Sequence, residues 1–147
     1  MSDRVPKAEA VFEIEVTCAT PSPIGRLRGG DAMMIPIAGG TVKGARLSGA
    51  VLAGGADWSI RYPDGLAVVD ARYAIRADDG TIIQVFNAAS ARIVRDQPHA
   101  SLTMLTSPRF VAPEGPHEWL NHGVFVGTLR PDTSGRPSVH IVVFNMV

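Results

Sequence analysis

Three residues of this 147-residue sequence are of types that exchange protons with an organic ligand: Asp57, Tyr73 and His122. Asp57 follows Gly54-Gly55-Ala56 and precedes Trp58. A carboxyl at the end of a strand, partly dried by an indole, has a raised pKa and can act as general acid or base. The bland alternative is a turn aspartate bonding its own backbone. Tyr73 shares the face of an alternating strand with Ala67 and Ala71. Small side chains beside a tyrosine leave room, and a hydroxyl facing that room can orient a ligand or donate a proton. A core tyrosine with a satisfied hydroxyl is the competing reading.

A third group, His117, Trp119, Asn121 and His122, sits in the long connection from Pro108 to His122. It could form an aromatic wall and an amide over a barrel mouth, with His122 joining Asp57 and Tyr73. It could equally be a plug, with Trp119 and Leu120 stopping one end and Asn121 capping a turn. Asp70 and Arg72 lie two apart on the face opposite Tyr73 and read as an outer ion pair.

Other chemistries lack their residues. The glycine pairs read as strand-to-strand turns, so no phosphate-binding loop is expected. The four histidines lack the spacing of zinc or facial-triad sites, and no metal is expected. No serine lies in a nucleophile elbow. Cys18 is the only cysteine; it cannot form an internal disulfide and reads as a small apolar residue. Acidic and basic residues number fourteen each, which gives no reason to expect a nucleic-acid or anionic-membrane partner. With 46% hydrophobic and 19% charged residues, the composition is that of a globular domain. No secretory signal and no run of membrane-spanning length is read, so a cytoplasmic location is the default expectation.

The elements that must position these residues are strands. Residues 1–7 read as a flexible tail and 8–147 as one domain. Ala8 to Cys18 alternates strictly, with one wet face. Pro21 to Gly30 reads as a loop. Asp31 to Ile37 is a strand broken near Pro36, and short strands follow around Gly39-Gly40 and from Leu47 to Ala53. Leu66 to Ile75 is the long central strand, between turns at Pro63-Asp64-Gly65 and Asp78-Asp79-Gly80. Thr81 to Asn87 is its hairpin partner, and Ala88 to Val94 stays open between strand and helical turn. Ser101 to Thr106, Gly123 to Leu129 and Ser138 to Phe144 complete the set. Eight to ten short strands with little helix predict an all-β fold, a closed antiparallel barrel in preference to a sandwich, because closure removes exposed edges. The Tyr73 face is expected inward, being uniformly apolar.

With these residues placed, the chain resembles the bacterial and fungal family of domain of unknown function DUF3237, of UPF0311 type. The likeness is carried by Gly39-Gly40, Gly44, Gly49, Gly54-Gly55-Ala56-Asp57-Trp58, Asp64-Gly65, Asp70-Ala71-Arg72-Tyr73, Asp79-Gly80 and Trp119-Leu120-Asn121. It spans nearly the whole chain. The resemblance implies a calycin-like small barrel and an oligomer, and little about activity. One departure stands out: relatives resemble Phe-Arg-Thr where this chain has Met104-Leu105-Thr106, so a cation is lost at Leu105.

The function expected is cofactor-independent acid–base chemistry, of isomerase or lyase type, on a small apolar or aromatic molecule. Asp57, Tyr73 and His122 would be catalytic; Trp58, Ala71, His117, Trp119 and Asn121 would bind the substrate. The alternatives are a carrier with the same cavity and no chemistry, and a barrel filled by its own side chains. The strand-rich surface makes a homodimer the expected assembly.

Overall fold

The computed structural model describes residues 3–92 and 103–147. Ten strands form one antiparallel sheet: β1 (Ala8–Cys18), β2 (Ser22–Leu27), β3 (Gly30–Lys43), β4 (Gly49–Val51), β5 (Ala56–Arg61), β6 (Leu66–Ala77), β7 (Ile82–Arg92), β8 (Met104–Val111), β9 (Phe125–Pro131) and β10 (Ser138–Met146). Neighbours run β1-β10-β9-β8-β7-β6-β4-β3, and β1 pairs with β3 to close the barrel. β4 and β5 share one stave, both lying between β3 and β6, which makes an eight-strand barrel. β2 is an extra strand folded back on β3. The one helical element among the described residues is a 3₁₀ turn, Glu118–Asn121.

Two turns set the register of the central hairpins. In each, an aspartate accepts a bond from the N–H two residues on: Leu66 N–H to Asp64 Oδ1 at 3.1 Å, and Thr81 N–H to Asp79 Oδ1 at 3.0 Å. Counting outward from Asp64 places Asp57 against Ala71; counting outward from Asp79 places Ala71 against Asn87 and Tyr73 against Val85. Facing residues in a ladder share one side of the sheet. Ala67, Ala71, Tyr73 and Ile75 are accordingly buried, and Asp70 and Arg72 pair on the outside at 3.5 Å.

Among the described residues, side chains fill the barrel at one end only. Toward the Ala77 end of β6, Ile14, Leu47, Ile75, Ile83, Val85 and Val143 are fully buried. Beyond them Phe12, Phe110, Phe125 and Trp119 form a closed circuit of edge-to-face rings, with centroids 5.1 to 6.5 Å apart. Toward the Ala67 end the inward residues of β5, β6 and β7 are mostly small: Ser59, Ala67, Ala71, Ala91. Among the described residues that half encloses a cavity.

Several sequence expectations need correction. Pro21 to Gly30 is largely strand, because β2 pairs back on β3 despite Pro23 and Gly25. Gly39-Gly40 lies inside the 14-residue β3, not at a turn; a side chain at Gly40 would strike the carbonyl of Glu15 on β1. β7 continues as strand to Arg92, and β8 runs through Pro108 to Val111. Ser101 and the segment beyond Arg92 to 102 lie outside the described residues.

Gly55 allows the broken stave to cross the central strand. A Cβ there would stand 2.6 Å from Tyr73 Cβ and 2.8 Å from Tyr73 Cα, closer than non-bonded atoms tolerate. Gly55→Ala is expected to destabilise the fold by roughly 1–3 kcal/mol, as overpacking does. Urea unfolding would read this as a lower midpoint, and an unchanged midpoint would mean the crossing is looser than described.

Candidate functional site

The open half is a cavity of about 290 Å³. Its depth is set by one row across four strands: Ile35 on β3, Asp57 on β5, Ala71 on β6 and Asn87 on β7. Ala71 has the smallest side chain in the row, leaving space between a carboxyl on one side and an amide on the other. Below the row stands Tyr73, and the walls are branched aliphatics, Val16, Ile37, Val69 and Ile141 among them. At the mouth the row is Asp31, Arg61, Ala67, Ala91.

Burial governs the electrostatics. Desolvation pushes the Asp57 carboxyl above its ordinary value, and the nearby charge of Asp70 adds to this. The Asp70 N–H, donating to Asp57 Oδ1 at 3.0 Å, and the charge of Arg61 work in the opposite direction without cancelling it. Burial, then Cys18, pushes the Tyr73 hydroxyl upward, so it stays neutral at any physiological pH. Cys18 also faces the cavity, and its thiol is raised by burial and by Asp57, which leaves it a poor nucleophile. The Tyr73 hydroxyl and Asn87 Oδ1 are both buried without a hydrogen-bond partner in the protein. Buried polar atoms are rarely left so. Thr106 Oγ1, His117 Nδ1 and Trp119 Nε1 are buried without partners as well, and the Tyr73 and Asn87 atoms are the two of the five that belong to cavity-lining residues.

The sequence-predicted residues divide between the two ends. Asp57, Tyr73 and Ala71 meet at the cavity. Trp58 does not: it is 48% exposed on the outer face, since alternation turns it away from its neighbour Asp57. His117, Trp119, Asn121 and His122 belong to the sealed end. His117 Nε2 lies 2.9 Å from Asp79 Oδ2, in the turn after β6, while the cavity reaches Ala67 at the start of β6. The residue facing Asp57, Ala71, lies eight residues before Asp79, roughly 26 Å along the strand at about 3.3 Å per residue. Asn121 clamps Ala112, accepting from its N–H and donating to its carbonyl, both at 2.8 Å. Trp119 lies in the aromatic circuit under Arg46, whose guanidinium is 3.9 Å from the ring centroid. His122 is exposed beside this plug, away from Asp57. The plug reading of that loop therefore describes its geometry. Leu105 is 67% exposed and points outward between the cavity-lining Met104 and the buried Thr106, so the missing cation would not have faced the cavity.

Five polar lining residues are absent from the sequence reading of the site: Asn87, Ser59, Arg61, Arg92 and Thr103. Asn87, only 2% exposed, was reachable by counting the hairpin outward from Asp79. Ser59 and Arg61 follow from Asp57 by period two. Arg92 had no such signal; it reaches the mouth from the opposite parity, bonded to the Asp64 carboxylate at 2.9 Å. Asp64 is held below the ordinary carboxylate range by the Leu66 N–H and then by Arg92. Among the described residues no three His, Cys, Asp or Glu side chains converge to hold a metal ion. No helix among them is long and apolar enough to cross a membrane.

The family model described as "Protein of unknown function (DUF3237)" matches residues 6–146. The chain belongs to this family. A UPF0311 protein of Rhodopseudomonas palustris is 33% identical over 132 residues, covering 80% of this chain and 84% of the relative. A UPF0311 protein of Clostridium acetobutylicum is 40% identical over 106 residues, 71% of this chain and 65% of the relative. Among solved structures, a conserved protein of unknown function from R. palustris superposes with a TM-score of 0.88 at 28% identity, over 99% of this chain and all of its own. A structure from Penicillium herquei, described as an enzyme, superposes with a TM-score of 0.75 at 21% identity, with both chains fully covered, and shares the fold. DUF3237 names a lineage and not an activity.

The raised Asp57 carboxyl has a signed consequence for stability. A carboxyl whose folded pKa lies above its unfolded value binds more protons when folded, so stability falls as pH rises through the window between the two. Asp57→Asn keeps an oxygen for the Asp70 N–H and removes the buried charge. It is expected to raise the melting temperature at pH 7, with the gain vanishing below the ordinary carboxylate value of 3.8. A variant less stable than the parent at pH 7 and equal at pH 3 would reverse the sign assigned here.

Proposed function

We propose that the chain binds a small, largely apolar organic molecule in this cavity and moves a proton on it, using Asp57 and no cofactor. One observation carries the reading: a desolvated carboxyl opens onto an apolar hollow beside two buried polar atoms without partners. The volume is about twice the ~150 Å³ cavity that accepts benzene, which suits a molecule of one or two rings.

The geometry supports division of labour across Ala71. Asp57 takes a proton from a carbon beside a carbonyl, and the electron pair moves onto the carbonyl oxygen. The neutral Tyr73 hydroxyl donates to that oxygen, as oxyanion stabilisation requires. Asn87, across Ala71 from Asp57, orients the ligand. Return of the proton to another carbon gives isomerisation; departure of a group from the neighbouring carbon gives a lyase reaction. The P. herquei relative, described as an enzyme, supports chemistry on this fold without specifying it. A second reading, a carrier, is favoured by the same unpartnered Tyr73 and Asn87 atoms, since binding alone would satisfy them. His122, Trp58 and the plug residues have no part in either reading.

Incubating the protein with a metabolite extract and following retained and altered molecules by mass spectrometry tests the choice. Asp57→Asn is expected to retain the ligand within a few-fold and to lower its conversion about 10²–10⁴-fold. Unchanged conversion would remove Asp57 from the chemistry, and retention without conversion by the parent chain would establish the carrier.

A further inference from the structure

We infer that the cavity's ligand carries a carboxylate, held at the mouth by Arg61. This rests on the cavity reading above and adds the class of molecule. Arg61 lines the cavity at its rim and is exposed to incoming solutes. Along its row on the barrel interior the next residues are the small Ala67 and Ala91. On the other side its facing residue is Asp31, but that carboxylate is engaged by Arg26 at 3.3 Å. Arg92, the second cation lining the mouth, is balanced by Asp64 at 2.9 Å. Among the described residues no ion pair is formed by Arg61 itself. Among the described residues the rim thus presents one guanidinium that forms no ion pair, Arg61, whose charge is otherwise felt by Asp57 within the cavity.

Arg61 and Asp57 lie on the same face of β5, four residues and about 13 Å apart along the strand. A ligand with its carboxylate on Arg61 lays its apolar body over Ser59, Ala67 and Val69, and its far end arrives at Asp57 and Tyr73. A carboxylate matches the planar fork of a guanidinium in two parallel bonds, which fixes orientation as well as affinity. It would also keep the ligand's negative charge at the wet rim, away from the buried carboxyl. The class is therefore a one- or two-ring carboxylic acid, entering ring first.

Isothermal titration with 2-naphthoate and with 2-naphthamide, which differ in charge and not in shape, tests this. The parent chain is expected to bind the acid about tenfold more tightly than the amide, the scale of one charge-assisted contact. Arg61→Gln is expected to bring the acid down to the affinity of the amide, and Arg61→Lys to retain part of the preference. Ala71→Phe, which fills the hollow, is expected to abolish binding of both. Equal affinities in the parent chain, or a preference that survives Arg61→Gln, would overturn the carboxylate assignment and leave the cavity reading standing. Failure of both compounds to bind would overturn the two together.

Discussion

Period-two alternation gives β5 no freedom once its register is set. The turn at Asp64 fixes Asp57 against Ala71, and a slip of one residue would turn Ser59 outward and Trp58 into the barrel. Asp57 must therefore face inward, at mid-depth, where its charge is poorly hydrated. The chain offsets part of that cost with one N–H bond from Asp70 and the field of Arg61. A carboxylate that only shaped a turn would have no need of this position. Its confinement makes the upper half of the barrel chemically distinctive, and the small residues around it leave a reactant space.

The other half of the barrel allows that arrangement to persist. Close-packed aliphatics and four interlocking aromatic rings supply the burial that the open half forgoes. The 3₁₀ turn seals this end: Leu120 is buried, Asn121 clamps Ala112, and His117 reaches the turn that also sets the Tyr73 hairpin. Asp79 thus serves both halves. It caps its own turn and anchors the plug, while the hairpin it closes carries Ala71, Tyr73 and Asn87 to the cavity.

The barrel was legible in the sequence because alternation and turn chemistry are local signals. Ala67, Ala71 and Tyr73 read inward by parity, and they are inward. The ends of the barrel were harder, since they depend on counting strands, and β2 hides among prolines and glycines that resemble a loop. Strand parity still held usable information: in an up-and-down sheet, loops after β6 and β8 fall at the same end. That places Trp119 and His122 with Asp79 and away from the mouth at Asp64. Trp58 neighbours Asp57 along the chain but not in space, since alternation puts the two on opposite faces of β5. Arg92 was illegible, since its approach depends on bonding across the mouth to Asp64 and not on its own strand parity.

The most direct test of the central claim, that Asp57 is poorly hydrated inside the barrel, is a ¹³C NMR titration of its side-chain carboxyl. The expected result is a midpoint clearly above the ordinary 3.8, together with a lower, ordinary midpoint in a variant whose cavity wall is opened to water by Val69→Ser. A midpoint at or below 3.8 in the parent chain would place Asp57 in water and contradict the site as described.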